Sequence, residues 1–177
     1  MVENVTLLLS ILTVVAQIFI FFAIVELIRT RGKKKNSMIL RLVDRTPVLY
    51  SFFIAALAML GSLFYSEIAQ YDPCEFCWYQ RILMYPLVVL FGLALLRRDR
   101  NILPYGFILS IIGAIIALYH YLMQLGFIAP TTCSAVGVSV SCSDSFTVTF
   151  GYISIPMMAL TAFALIIIFS VISQKND

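Results

Sequence analysis

Two cysteines separated by two residues carry the clearest chemical signal in this sequence. Cys74 and Cys77 enclose Glu75 and Phe76, and an apolar segment that predicts a helix follows directly. The exposed N–H groups and the dipole at a helix start stabilise a thiolate there, which makes the sulfur a competent nucleophile and leaving group. Cys77 is closer to the predicted helix start, so we expect it to be the more activated sulfur. The motif therefore favours thiol–disulfide exchange.

Two other interpretations of the C-x-x-C motif stay open from the residues alone. A zinc site would need further ligands, and the spacing between Cys133 and Cys142 is wider than in the usual zinc knuckles. A purely structural disulfide between Cys74 and Cys77 would close a loop too small to stabilise the fold much. Exchange chemistry is the interpretation that the sequence favours, and we expect no metal here.

Two titratable side chains are predicted to lie at the depth of this motif. Arg81 follows Cys77 by four residues, so the two share one helix face, and its guanidinium can stabilise a thiolate or bind a carbonyl-bearing ligand. The alternative is an arginine that extends toward lipid headgroups. His120, the single histidine, falls about one turn from the outer end of another apolar segment. It is a candidate site residue, with an ordinary interfacial histidine as the alternative.

The remaining cysteines lie together in a longer polar segment. Cys133 and Cys142 are surrounded by Ser, Val, Gly and Thr, a composition typical of a flexible loop. Such a loop can present a disulfide to a soluble protein and then carry it toward the membrane. The alternative is a disulfide that only closes the loop.

The elements that position these residues are membrane helices. Of the 177 residues, 62% are hydrophobic and 12% are charged, whereas soluble domains are about 25% charged. A spanning helix needs about 20 mostly apolar residues. Five segments meet this requirement: Val5–Ile28, Pro47–Ile68, Trp78–Leu96, Ile102–Gln124 and Tyr152–Ser173. The composition predicts an all-α polytopic membrane protein and argues against a water-soluble or disordered chain.

The basic residues predict how these helices are oriented. Eleven of the twelve Lys and Arg fall on one side of a five-helix topology, and only Arg81 does not. Because basic loops are retained in the cytoplasm, the N-terminus and both cysteine-bearing loops are predicted to be extracytoplasmic and the C-terminus cytoplasmic. Cysteines exposed to an oxidising compartment are expected to pair. The basic linkers are topology signals that contact anionic membrane lipid, and we expect no nucleic-acid partner.

The segment Pro73–Pro86, PCEFCWYQRILMYP, resembles the DsbB/BdbC family of disulfide bond formation proteins, and most closely the shorter Gram-positive BdbC type. The resemblance continues through GAIIALYHYLMQ, the loop cysteines and FGYISIPMMAL, and covers roughly Tyr50 to Ser173. Members of this family are four-helix cell-membrane proteins. They reoxidise an extracytoplasmic thioredoxin-like thiol oxidase, of the DsbA/BdbD type, and pass its electrons to a membrane quinone. The resemblance implies that residues 47–177 form this four-helix domain, and that residues 1–46 add a transmembrane helix and a basic cytoplasmic linker.

The resemblance also implies roles for the candidate residues near the membrane. Cys74 and Cys77 match the pair that is coupled to the quinone, menaquinone or ubiquinone. Cys77 matches the cysteine that contacts the quinone ring, and Arg81 matches the arginine needed beside it. His120 matches a histidine that lies near the quinone in some members. Cys77, Arg81 and His120 are therefore the expected quinone-binding residues.

The loop cysteines take their roles from the same resemblance. Cys133 matches the sulfur that forms a mixed disulfide with the partner oxidase, and Cys142 matches its resolving mate. Two features depart from the family pattern: the loop spacing is shorter than in Gram-negative members, and Val5–Ile28 has no counterpart. Two alternative functions share this cysteine layout. One is an epoxide-type quinone reductase, and the other is a non-enzymatic membrane protein with two structural disulfides.

Overall fold

A computed structural model describes residues 1–29, 43–129, 142–143 and 147–174. Within these ranges the protein contains long helices and no strand. The helices are α1 (Val2–Arg29), α2 (Pro47–Leu63), α3 (Glu75–Arg97), α4 (Leu103–Gln124) and α5 (Ile155–Gln174), and α2 continues as a π-helical turn, Phe64–Ile68. The expected all-α architecture is confirmed.

Five helices of the described chain are long and apolar enough to cross a membrane. They coincide with the five predicted segments apart from a few residues at the ends. The third helix begins at Glu75 rather than Trp78, because the cysteine motif itself forms its first turn. The fifth begins at Ile155 rather than Tyr152, since Thr149 and Ile153 exchange backbone hydrogen bonds just before it. The first begins at Val2, a few residues before the predicted Val5.

Helices α2, α3, α4 and α5 pack around a common core as a closed four-helix bundle. Helix α4 approaches its neighbours closely at two glycines. A Cβ atom at Gly113 would lie 2.4 Å from the ring of Phe163 in α5, and one at Gly106 would lie 2.5 Å from the ring of Phe91 in α3. Small residues allow such close approach where there is no hydrophobic driving force between helices in lipid.

Helix α1 packs outside this bundle, mainly along α5. Its buried residues are small or carry hydroxyl groups: Thr6, Ser10, Thr13 and Ala23. Large apolar side chains cover much of the rest of its surface and are exposed. The segment 30–42, which holds much of the predicted basic linker, lies outside the described residues. The predicted boundary between residues 46 and 47 stays a prediction.

Candidate redox site

The C-x-x-C motif forms the first turn of α3. Cys74 is the residue before the helix and has an extended backbone (φ −69°, ψ 171°). Cys77 is the third helical residue, and its sulfur lies 3.2 Å from that of Cys74, whose thiol donates a hydrogen bond to it. The backbone of Cys74 also forms a hydrogen bond with the Cys77 sulfur. The bond from the Cys74 backbone to the Cys77 sulfur is one half of a capping box, and the Cys74 side chain itself makes no capping hydrogen bond. Disulfide formation requires the two sulfurs to approach to about 2.05 Å.

Cys74 is the buried member of the pair. Its side chain is 3% exposed and packs against Met123 and Cys142. The hydrogen bond that it donates to Cys77, together with burial, raises the pKa of the Cys74 thiol to about 12. In the reduced protein at neutral pH, Cys74 therefore stays protonated. The expected activation of Cys77 at the helix start stays a prediction.

Removing Cys77 should make the Cys74 thiol more acidic, because the largest cause of its raised pKa is the hydrogen bond to Cys77. We expect the pH of half-maximal alkylation of Cys74 to fall by about one unit or more in Cys77→Ala. The measurement is iodoacetamide labelling against pH, read by mass spectrometry, in reduced protein that also carries Cys133→Ser and Cys142→Ser. The same background with Cys77 retained is the control. An unchanged labelling profile would show that the hydrogen bond does not set this pKa.

His120 joins the motif to the loop cysteine. Its ring is 1% exposed, and Nε2 lies 3.2 Å from the backbone oxygen of Cys142 and 3.6 Å from Sγ of Cys74. A carbonyl oxygen only accepts, so Nε2 carries the hydrogen and Nδ1 is the acceptor. The side-chain amide of Gln80 donates to Nδ1 over 3.1 Å. Gln80 therefore fixes the tautomer that allows His120 to donate toward Cys142 and Cys74.

Arg81 is held by α2. Its Nε donates to Oγ of Ser62 at 2.8 Å and its Nη2 donates to the backbone oxygen of Ser62 at 3.1 Å. The guanidinium also lies over the ring of Trp78, 5.4 Å from its centroid. The π-helical turn Phe64–Ile68 begins two residues after Ser62, and such turns are frequent at functional sites. These contacts fix the guanidinium one helical turn from Cys77.

A cavity of about 480 Å³ lies between α1, α2, α3 and α5. Most of its lining is apolar, and Ser62, Cys77, Gln80 and Arg81 contribute polar groups to it. Cys74 is not among the lining residues, so the two cysteines face different surroundings. The cavity volume falls in the usual range for small-molecule sites, about 300–1,000 Å³. Cys77 thus borders a mostly apolar cavity.

The structure brings together five of the six residues singled out from the sequence. Cys74, Cys77, His120 and Cys142 form one contact cluster, and Arg81 joins Cys77 at the cavity. Cys133 lies outside the described residues. His120 contacts Cys74 and is not among the residues that line the cavity, so its predicted place beside the quinone stays a prediction.

Sequence reasoning missed three supporting residues. Gln80 orients His120, Ser62 holds Arg81, and Trp78 packs on the Arg81 guanidinium. The sequence could have indicated Gln80, because placing a polar amide inside an apolar span costs free energy and such an amide usually has a hydrogen-bond partner. Nothing in the sequence indicated Ser62, since serine is common in membrane helices and its partner lies on another helix.

Three possible metal ligands also meet in this cluster. Sulfur atoms of Cys74 and Cys77 and a ring nitrogen of His120 lie within 4.8 Å of one another. A structural zinc site takes four ligands, and a catalytic site takes three plus water. The expectation of no metal at the motif stays a prediction, and the zinc content of purified protein tests it.

Residues 44–173 match the family model described as disulfide bond formation protein DsbB. The chain belongs to the DsbB family. Disulfide bond formation protein C of Bacillus subtilis is 48% identical over 129 residues, which are 71% of this chain and 91% of the relative. A probable disulfide formation protein of Oceanobacillus iheyensis is 46% identical over 123 residues, 70% of this chain and 85% of the relative. A probable disulfide formation protein C of Halalkalibacterium halodurans is 43% identical over 125 residues, 71% of this chain and 90% of the relative.

These matches confirm the family resemblance and the type of function that it implied. The protein is a multi-pass membrane protein of disulfide bond formation. No solved structure matches the chain significantly. The DsbB match begins at residue 44, so α1 lies outside it.

Proposed function

We propose that this protein oxidises the dithiol of an extracytoplasmic thioredoxin-like oxidase and passes the electrons to a membrane quinone. The observation that carries the proposal is the position of the Cys74–Cys77 pair. Cys74 packs against Cys142, which belongs to the loop, while Cys77 borders the apolar cavity. The pair therefore lies between a cysteine that can deliver electrons and a cavity that can hold a lipid-soluble electron acceptor.

The chemistry of the cavity lining supports a quinone as the electron acceptor. Its apolar walls suit the ring and the isoprenoid tail, and the Arg81 guanidinium supplies hydrogen-bond donors for a ring carbonyl oxygen. When bound, a quinone accepts two electrons and two protons and becomes a quinol. The thiolate expected at Cys77, next to the Arg81 charge, is the group from which electrons leave the protein.

Thiol–disulfide exchange along the four cysteines moves the electrons inward. A thiolate of the partner attacks Cys133 of a Cys133–Cys142 disulfide, and Cys142 leaves as a thiolate. Cys142 then attacks Cys74 of the Cys74–Cys77 disulfide, so a Cys74–Cys142 bond forms and the Cys77 thiolate is released. The second partner thiol displaces Cys133, and the partner leaves oxidised. Cys133 then attacks Cys142, which restores the loop disulfide and leaves Cys74 and Cys77 reduced.

His120 is placed to assist the exchange at Cys74. Its Nε2–H faces both the Cys74 sulfur and the backbone of Cys142. A hydrogen bond from Nε2 stabilises negative charge on Cys74 when that sulfur is displaced. The hydrogen bond that Nε2 donates to the backbone oxygen of Cys142 also holds Cys74 and Cys142, the two cysteines of the exchange step, close together. We therefore propose that His120 serves the cysteine relay.

The basic segments support an orientation in which this relay faces outward. With the N-terminus and the cysteine-bearing loops extracytoplasmic and the C-terminus cytoplasmic, a secreted or surface-bound oxidase reaches Cys133 directly. Oxidising conditions on that side keep the product disulfides intact.

Quinone absorbance during incubation with a reduced thioredoxin-like protein tests the proposal. We expect the absorbance of menaquinone or ubiquinone to fall only when both cysteine pairs are present, with one partner disulfide formed per quinone reduced. Cys142→Ser should stop turnover with the partner while the Cys74–Cys77 pair still reduces quinone after chemical reduction. Four cysteines that never exchange with the partner would favour the structural alternative. A reduced epoxide product would favour the epoxide-type reductase.

A further inference from the structure

The cavity has a wall that the DsbB family match does not include. Helix α1 contributes six lining residues, Leu9, Leu12, Thr13, Val15, Ala16 and Phe19, and ends well before the match begins at residue 44. In the Bacillus subtilis relative, less than a tenth of the length lies outside the match. The wall formed by α1 is therefore an addition to the four-helix domain.

Specific contacts hold α1 at this position. The amide of Gln17 donates to Thr161 of α5 at 3.2 Å, and its oxygen accepts from the hydroxyl of Tyr152 at 2.8 Å. Near the other end of the same face, Tyr65 donates to Thr6 at 3.3 Å. Hydrogen bonds between membrane helices fix their relative position where apolar packing alone is unselective. Helix α1 is thus tied to α5 and to the outer end of α2.

The first contact of α1 with the cavity lies at the level of Arg81. A Cβ atom at Gly61 of α2 would lie 3.4 Å from Leu9, and Gly61 is adjacent to Ser62, which holds the Arg81 guanidinium. Ala16 lies seven residues further along α1, about 10 Å deeper at about 1.5 Å per residue. When the quinone ring lies beside Cys77 and Arg81, the isoprenoid tail of the quinone therefore lies beside Ala16.

An aromatic cluster forms the deep end of the cavity. Phe169 of α5 lies between Phe19 of α1 and Tyr50 of α2, with ring centroids 6.0 and 5.8 Å away. All three rings line the cavity. Between Leu9 and this cluster, the surface that α1 presents is Thr13, Ala16 and their neighbours, and the small Ala16 side chain leaves room there.

We propose that α1 forms part of the quinone site and binds the isoprenoid tail along Ala16 and Phe19. The inference rests on the proposed function, since it assumes that the cavity beside Cys77 holds the quinone. In this arrangement α1 replaces membrane lipid as the fourth wall, so the tail is bound by protein and the ring is held at Cys77. The helix that the family match lacks then determines how tightly tailed quinones bind.

The experiment fills the space beside Ala16 and measures quinone binding directly. Trp78, the only tryptophan, packs on Arg81, so a bound quinone should quench its fluorescence. The probes are menaquinone and menadione, which share a ring and differ in the isoprenoid tail. In Ala16→Phe we expect the affinity for menaquinone to fall about ten-fold or more, as overpacking predicts, and that for menadione to change less than about two-fold.

Two controls separate the tail contact from a general disturbance. Ile18→Phe adds an aromatic ring two residues away on the exposed face of α1, where Ile18 is 52% exposed, and should bind both probes like the unmodified protein. Exchange between the reduced partner and the loop cysteines should be unchanged in both variants. Ala16→Leu, a smaller insertion, supplies the measurement should Ala16→Phe fail to accumulate in membranes.

The outcomes distinguish this inference from the proposed function. Equal menaquinone affinity in Ala16→Phe, Ala16→Leu and Ile18→Phe would overturn the role of α1 while leaving quinone reduction intact. Equal losses for menaquinone and menadione would place the ring, not the tail, against α1 and would also overturn it. Failure of the unmodified protein to bind or reduce either quinone would instead contradict the proposed function.

Discussion

Quinone reduction should fall by about 1,000-fold or more when Cys77 is replaced by serine, because removing a nucleophile that acts as a unit with its partner removes nearly all turnover. Cys77 is the cysteine that borders the cavity, and the Cys74 sulfur, 3.2 Å away, has no other cysteine in the motif with which to form a disulfide. Stopped-flow quinone absorbance with a reduced thioredoxin-like partner measures the effect.

The same variant contains its own control. Cys133 and Cys142 are unchanged in Cys77→Ser, so one equivalent of reduced partner should still be oxidised in a single turnover. Loss of quinone reduction together with loss of this first exchange would indicate misfolding rather than a missing sulfur. Normal quinone turnover in Cys77→Ser would show that electrons leave by another route, and the proposed relay would be wrong.

Replacing Arg81 by alanine should lower kcat/KM for quinone by about 10- to 100-fold. The variant loses the charge-assisted hydrogen bonds of Arg81, which contribute about 1.5–3 kcal/mol each, and Oγ of Ser62 loses its arginine donor. The positive charge next to Cys77 is lost as well. Exchange between the partner and the loop cysteines should proceed at the normal rate, because Arg81 contacts α2 and the cavity. Steady-state kinetics with varied quinone, beside single-turnover partner oxidation, separates the two steps.

Two further variants show whether the position of the charge matters. Arg81→Lys keeps the charge and loses the planar fork that binds both Ser62 groups, so it should recover only part of the activity. Arg97→Ala removes an exposed arginine at the far end of the same helix and should leave quinone kinetics unchanged. Equal activity of Arg81→Ala and the unmodified protein would remove Arg81 from the quinone site.

Local sequence patterns were sufficient to predict the membrane helices and the Cys77–Arg81 pair of the site. Length and hydropathy identify five membrane helices, because a bilayer requires about 20 apolar residues in a row whatever the neighbours are. The four-residue spacing of Cys77 and Arg81 places them on one helix face before any packing is known. The motif PCEFCWYQRILMYP was specific enough to indicate the family, which the match over residues 44–173 confirms.

The partners on other helices came only from the tertiary structure. His120 meets Cys74 across 46 residues and Gln80 across 40, and Ser62 holds Arg81 across 19. In a membrane protein almost every helix is apolar all round, so hydropathy does not say which face meets which neighbour.

Helix α1 shows most clearly which features the sequence determined and which only the tertiary structure determined. Its composition alone determined that it is a membrane helix, because its long apolar run depends on no other part of the chain. Its position as a cavity wall depends on Gln17 meeting Thr161 and Tyr152, more than 130 residues away. Such contacts are decided by the packing of complementary polar groups between helices, which the order of residues along one helix does not encode.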